Sequence, residues 1–261
     1  MTSNEVETKS SDGHIVLGSY TAAQEPKAAV LMVHGITADR SEWGYYRTLA
    51  ESLQKVGISS LAIDLRGHGK SSFNVTKLSL SGALLDIQAA WNLLSYLEKG
   101  KNTKKLLIGN SFGGGVTFLF GNQTPSVDHI FLTAPVLSYI DDIGNMAEAW
   151  NDRELSTFKY VKFDLSSLLV PEMYYFDKRI IENPSRTSFT IIHGKSDSDV
   201  PFADSEAFVA NRPAGKLIGL EGMDHCWAKT GDLPPFNDPI SMQNRAVAVQ
   251  ETVDQMLSSI E

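Results

Sequence analysis

The stretch Leu106-Leu107-Ile108-Gly109-Asn110-Ser111-Phe112-Gly113-Gly114-Gly115-Val116 decides how this chain is read. A short apolar run enters it, a serine stands between glycines, and a second apolar run, Val116–Phe120, leaves it. The order is strand, tight turn, helix, which is the setting a G-x-S-x-G turn requires. Such a turn holds its serine in a strained backbone conformation. Its neighbours must be small because other backbone passes close by. The hydroxyl then stands at the carboxyl edge of a strand. It faces a helix N-terminus, whose free N–H groups favour developing negative charge.

The same rhythm repeats on both sides. Ala28–Val33 runs into His34-Gly35, and Ile58–Ile63 ends at Asp64. Ile130–Leu132 leads into Thr133-Ala134-Pro135, Phe189–Ile192 ends at His193-Gly194, and Lys216–Leu220 ends at Glu221-Gly222. Continuous apolar runs of this length read as strands buried on both faces. Between them lie helical patterns. Tyr45–Lys55 sets Leu49 and Leu53 on a face with Val56, and Gly82–Leu97 carries Leu84, Leu85, Gln88, Trp91, Leu94 and Tyr96. Strands alternating with helices predict an α/β fold, a mostly parallel twisted sheet with helices on both faces. Ile15–Tyr20, after Ser11-Asp12-Gly13, is expected to begin an antiparallel edge.

One stretch breaks the rhythm. Tyr139 to Arg186 places 48 residues between two core strands and carries eight aromatics, 17% against 9% for the chain. A connection of that length and apolarity reads as a folded insertion rather than a loop. The expected organisation is a core domain of residues 1–138 and 187–261 with an inserted cap, 139–186. Trp150, Tyr174 and Tyr175 are the expected substrate-binding wall. The competing reading is two ordinary extra helices with no role at the site.

Three further features gather around Ser111. His34-Gly35-Ile36-Thr37 follows a core strand, and its expected contribution is the Ile36 N–H, paired with that of Phe112 as an oxyanion hole. Asp197 and Asp199 follow the strand ending at Gly194, and His225 follows the last core strand. A serine hydroxyl needs a base to take its proton, and the base needs an acid to fix its tautomer. The chain order serine, acid, histidine is the one this turn calls for. Asp197 lies just beyond the strand, whereas Asp199 sits nearer the next helix, where a cap or the helix dipole accounts for an acid. Asp224 adjoins His225 and is poorly placed to reach its ring.

With these motifs the chain resembles the α/β-hydrolase superfamily from about Val16 to Leu257. Asp64-Leu65-Arg66-Gly67-His68-Gly69-Lys70-Ser71 resembles a loop shared by monoacylglycerol-lipase-like and serine-aminopeptidase-like members. His34-Gly35-Ile36-Thr37, the long insertion and Asp224-His225-Cys226-Trp227 resemble bacterial cinnamoyl/feruloyl esterases. The family pattern Gly-x-x-Asp followed by Val-Pro falls on Gly194, Asp197, Val200 and Pro201, which implies that Asp197 orients His225. Asn110 departs from the pattern, standing where histidine is common, and Lys229–Pro239 looks like an added segment after the histidine.

Composition narrows the partners. Lys plus Arg is 23 and Asp plus Glu is 31, a net charge of −8, which disfavours nucleic acid. One cysteine makes no internal disulfide, and six histidines without a close pair give no metal signal. No apolar run approaches the ~18 residues of a membrane span. Met1–Ser11 is polar with Glu5 and Glu7, so no secretory signal is visible, and the expectation is a cytoplasmic protein. His34 and His68 read as loop-holding residues, His193 as a satisfied core histidine and Cys226 as packing. The expected activity is hydrolysis of small-molecule esters of apolar or aromatic acyl groups, with no cofactor. The rivals are a thioesterase, an amidase or aminopeptidase, and a binding protein that keeps the fold without the chemistry. Oligomeric state is not legible.

Overall fold

The computed structural model describes residues 3–71, 77–144, 157–160, 163–166, 169–182 and 184–261. Ten strands and six helices alternate along the described chain. They are β1 (Asn4–Lys9), β2 (Ile15–Thr21), β3 (Ala28–Val33), α1 (Tyr45–Lys55), β4 (Ile58–Ile63), α2 (Leu80–Leu97), β5 (Lys104–Asn110) and α3 (Phe112–Gln123). Then come β6 (His129–Thr133), β7 (Thr157–Tyr160), β8 (Phe163–Ser166), α4 (Leu169–Glu182), β9 (Phe189–Gly194), α5 (Phe202–Ala210), β10 (Gly215–Leu220) and α6 (Pro239–Ile260). Eight strands form one sheet in the order β1-β2-β4-β3-β5-β6-β9-β10, while β7 and β8 pair as a separate antiparallel hairpin. From β4 to β10 every neighbour is parallel; β1 and β2 are antiparallel to each other, and β2 to β4. This is the α/β-hydrolase architecture.

The central strands are apolar throughout because both their faces are covered. All six residues of β3 are buried. Ala29, Leu31 and Val33 point to one core with α2, α3, α4 and α5, and Ala28, Val30 and Met32 to another with α1 and α6. Successive side chains leave a strand on opposite faces, so one run feeds both cores. Two helix starts are set locally. Ser79 accepts the Gly82 N–H at 3.1 Å at the head of α2, and Asp238 accepts the Ile240 N–H at 2.8 Å at the head of α6, with Pro239 in the first turn.

Two expectations change. Ile15–Tyr20 is antiparallel to its neighbours as expected, but the outermost strand is β1, which the sequence did not mark. β1 reads NEVETK, its residues exposed or half-buried, and it is held by six pairings with β2. An edge strand with one solvent-facing side needs no apolar run, so its sequence looks like a polar leader. The buried face of α2 is Ala83, Ile87, Ala90, Trp91 and Leu94, whereas Tyr96 is 72% exposed. Trp91 and Leu94 lie on the expected stripe, and the rest of the buried face is completed by Ile87 and the small residues Ala83 and Ala90.

The described part of 139–186 holds a π-helical turn at Ile140–Gly144, the β7–β8 hairpin and α4. Tyr139 itself belongs to the core: it is fully buried, and its Oη donates to the Phe112 carbonyl at 2.7 Å. On α4, Leu169, Met173, Phe176 and Ile180 face inward at helical spacing. No described helix is long and apolar enough to cross a membrane.

Candidate active site

β3 and β5 are neighbours, yet the chain leaves β3 toward β4 on one side and returns through α2 to β5 on the other. Sites in open α/β sheets collect at the carboxyl ends of strands around such a reversal. A cleft of about 410 Å³ opens there, lined by Gly35, Ile36, Ser111, Asp142, His225 and Leu233 among others. A larger hollow of about 600 Å³, lined by Leu137, Asp141, Asp204 and Arg212, contains no histidine.

Ser111 lies between β5 and α3 with φ +50° and ψ −122°. A non-glycine residue in that region stores about 1–3 kcal/mol of strain. The turn is pinned on three sides: Ser111 N–H donates to Thr133 at 2.9 Å, and its carbonyl accepts from Val136 at 2.9 Å and Gly114 at 2.8 Å. A side chain at Gly113 would collide with the His34 carbonyl and lie 2.7 Å from that of Val33. The glycine therefore lets α3 approach the end of β3. Of the seven described non-glycine residues with positive φ, five (Thr37, Glu42, Trp43, Ser111 and Phe236) line this cleft. Strain concentrates where function is expected.

The structure brings three expected residues together. His225 Nε2 is 2.9 Å from Ser111 Oγ, and His225 Nδ1 is 2.8 Å from Asp197 Oδ2. Asp197 Oδ1 accepts the N–H groups of Asp199 and Val200, each at 2.9 Å. Oδ2 also accepts from His193 Nε2 at 3.0 Å, and His193 Nδ1 meets Ser205 Oγ at 2.8 Å. Burial opposes charge on Asp197, but the attraction of His225 and hydrogen bonds from His193, His225 and Val200 hold it well below the usual carboxylate range. Burial likewise opposes charge on His225, and the Asp197 carboxylate overrides it, raising the imidazole to about 9. Asp199 reaches neither ring; its backbone serves Asp197, and burial raises its own carboxyl. Asp224 accepts the N–H groups of His225 and Ser198, both at 2.9 Å, and so braces the loop.

The loop after β3 is tied down by side chains. His34 Nε2 accepts the Leu65 N–H at 3.0 Å, and His68 Nε2 accepts the Thr37 N–H at 3.1 Å. Burial lowers His34 to about 4 and His68 to about 3, so both are neutral and free to accept. The Ile36 N–H takes no partner among the described residues, and Phe112 is the first residue of α3. Asn110 is buried and accepts from Thr133 Oγ1 at 2.7 Å. Burial pushes the Cys226 thiol up to about 12, leaving it protonated.

The aromatic wall is placed differently from the expectation. Tyr174 is 62% and Tyr175 56% exposed on the outer side of α4, and neither lines the cleft. The inward face of the helix is already occupied by Met173 and Phe176. Trp150 lies outside the described residues. The cleft is instead lined by Trp43, Val136, Ile143, Leu233 and Phe236. Leu233 and Phe236 come from the segment Lys229–Pro239 that follows the histidine. Composition missed this wall because it is spread over several loops. It also missed Asp142, 5% exposed at the cleft, whose Oδ2 has no hydrogen-bond partner among the described residues and whose carboxyl burial raises to about 7. Among the described residues no three His, Cys, Asp or Glu side chains are arranged to hold a metal ion.

Fold and site together define a hydrolase of the α/β-hydrolase superfamily. Residues 24–179 match the family described as serine aminopeptidase, S33 (Hydrolase_4), and the chain belongs to it. A monoacylglycerol lipase of Mycolicibacterium smegmatis is 25% identical over 131 residues, 49% of this chain and 45% of that protein. The chain thus aligns with less than half of that relative's length. Among solved structures, Est1E from Butyrivibrio proteoclasticus superposes with a TM-score of 0.74 at 19% identity, covering 98% of each chain, and it is also known with ferulic acid bound. The esterase domain of a Rhodothermus marinus protein has a TM-score of 0.74 at 16% identity, covering all of both chains.

Proposed function

We propose that the protein is a serine carboxylesterase acting on esters of apolar or aromatic acids. The observation that carries this reading is the relay Ser111–His225–Asp197, with contacts of 2.9 and 2.8 Å, at a cleft with apolar walls. In the proposed reaction, neutral His225 takes the proton of Ser111 Oγ as the oxygen attacks the carbonyl carbon. The Ile36 and Phe112 N–H groups hold the oxyanion. Asp197 stabilises the imidazolium, which then protonates the departing alcohol. Water, activated by His225, attacks the acyl-enzyme; the acid leaves and Ser111 recovers its proton. In this reading residues 139–186 cap the site, with Ile143 and Asp142 as their contribution to its lining. Stoichiometric labelling of Ser111 by a fluorophosphonate, with a burst on a nitrophenyl ester, tests it; absence of both overturns it.

A second reading is favoured by Asp142. An almost fully buried carboxyl at the lining of the cleft suits a substrate that offers an amine or hydroxyl, as an aminoacyl ester or amide does. Matched nitrophenyl and nitroanilide derivatives of one amino acid separate the two. Faster turnover of the anilide selects the amidase.

A further inference from the structure

Gly35, Ile36 and Thr37 present three successive backbone N–H groups beside Ser111. Two are taken by side chains. Glu42 Oε2 accepts the Gly35 N–H at 2.6 Å, and His68 Nε2 accepts that of Thr37 at 3.1 Å. The middle one, on Ile36, is left without a partner among the described residues. The spacing leaves little slack: a Cβ on Gly35 would lie 3.0 Å from Ser111 Cβ.

Glu42 is an unusual choice for this task. It is only 6% exposed, and it and Trp43 adopt positive φ of 46° and 53°. Burial raises its carboxyl to about 7, while the Gly35 hydrogen bond and the charges of His225 and Arg245 pull the other way. Asp39, Tyr45, Tyr46 and Cys226 also face it. A buried carboxyl in strained backbone is unfavourable unless its hydrogen bond serves some purpose. The steps assigned to Ser111, His225 and Asp197 make no use of it.

We propose that Glu42 is a positioning residue for acyl transfer: its carboxyl clamps the Gly35 N–H and so aims the unpartnered Ile36 N–H at the oxyanion. The proposal rests on the triad reading above. Negative charge appears on the carbonyl oxygen only as Ser111 attacks. A loosened turn therefore weakens transition-state binding and leaves ground-state binding in place. The loss falls on kcat, not on KM.

The test uses the whole chain with Glu42→Leu, Glu42→Asp and Glu42→Gln, a nitrophenyl acetate substrate and fluorophosphonate titration of Ser111. Leucine removes the acceptor, and aspartate withdraws it by one methylene. Glutamine keeps a carbonyl oxygen at the same reach. Leucine and aspartate are expected to lower kcat by about 10-fold or more with KM within about 3-fold, because a displaced donor is lost in part. Glutamine is expected to stay within about 3-fold of wild type in both. Should the leucine variant fail to fold, the aspartate variant, which keeps a carboxyl, decides. Wild-type kcat in a folded leucine or aspartate variant overturns the proposal. So does a glutamine variant as slow as the others, or a loss confined to KM. A wild-type chain that does not label refutes the triad reading and this proposal together, whereas a labelled wild type beside unaffected variants refutes this proposal alone.

Discussion

Replacing Asp197 by asparagine changes one atom in a fully satisfied carboxylate, and the surroundings dictate how the new amide sits. Oδ1 receives two backbone N–H groups at 2.9 Å, from Asp199 and Val200. Those donors cannot turn away, so the amide oxygen must stay with them. The NH2 group then faces the two histidine nitrogens that met Oδ2, at 2.8 and 3.0 Å. His225 is forced to accept at Nδ1 and carry its proton on Nε2. That proton points at Ser111 Oγ, 2.9 Å away, and the base is lost. The expected fall in kcat is about 10²- to 10⁴-fold, or about 3–5 kcal/mol of barrier at ~1.4 kcal/mol per tenfold. The pH profile supplies a second readout. In the wild type burial depresses His225 but Asp197 lifts it to about 9, so activity should climb from neutral into alkaline pH as the imidazole loses its proton. Without the negative charge the pKa falls, and the residual activity should reach its plateau at lower pH. Steady-state hydrolysis of nitrophenyl acetate from neutral to alkaline pH measures both, with a thermal melt to show that the fold persists. Asp199→Asn is the control, expected within about 3-fold of wild type since its side chain touches neither ring. An Asp197→Asn enzyme within about 3-fold of wild type refutes the reasoning, as does an inactive Asp199→Asn.

Ser111→Ala should leave a folded chain with stability within about 1 kcal/mol and turnover down about 10³-fold or more; near-normal turnover in the purified variant removes Ser111 from the mechanism. Gly113→Ala should destabilise by about 1–3 kcal/mol in urea, because its methyl meets backbone oxygens of His34 and Val33 that cannot retreat; an unchanged midpoint shows the contact to be soft. His34 and His68 have folded-state values of about 4 and about 3, below the unfolded value of 6.5, so the unfolded chain takes up protons first. Stability should therefore fall as pH drops below about 6.5, by about 2 kcal/mol per histidine near pH 5, and a flat urea midpoint across that window contradicts their burial as neutral rings. Leu233→Ala and Trp43→Ala should shift preference between aromatic and acetate esters, while Tyr174→Ala and Tyr175→Ala leave it unchanged; the reverse pattern puts the substrate against α4.

Much of the fold was legible in the chain. Ala28–Val33 and Ile58–Ile63 coincide with β3 and β4, and Tyr45–Lys55 with α1. These elements are buried on both faces or strongly one-sided, so local composition carries the signal. β1 was not legible, since six polar-looking residues become a strand only when β2 supplies a partner. The same divide runs through the site. Ser111, Asp197 and His225 stand out because each closes a core strand with a motif of its own.

Other members of the site have no such mark. Glu42 and His193 owe their positions to hydrogen bonds with Gly35 and Asp197, and Asp142 to a turn packed over the cleft. Tyr174 and Tyr175 sit in an aromatic-rich stretch, yet helix phase turns them outward and gives the inner face to Met173 and Phe176. The sequence by itself determined the buried core strands and what chemistry stands at their ends, because periodicity and turn residues act over a few positions. Only the tertiary structure decided which amide stays unpartnered among the described residues and which side chains wall the cleft. Those outcomes depend on groups far apart in the chain competing for the same few ångströms of buried space, where most donors and acceptors find a partner.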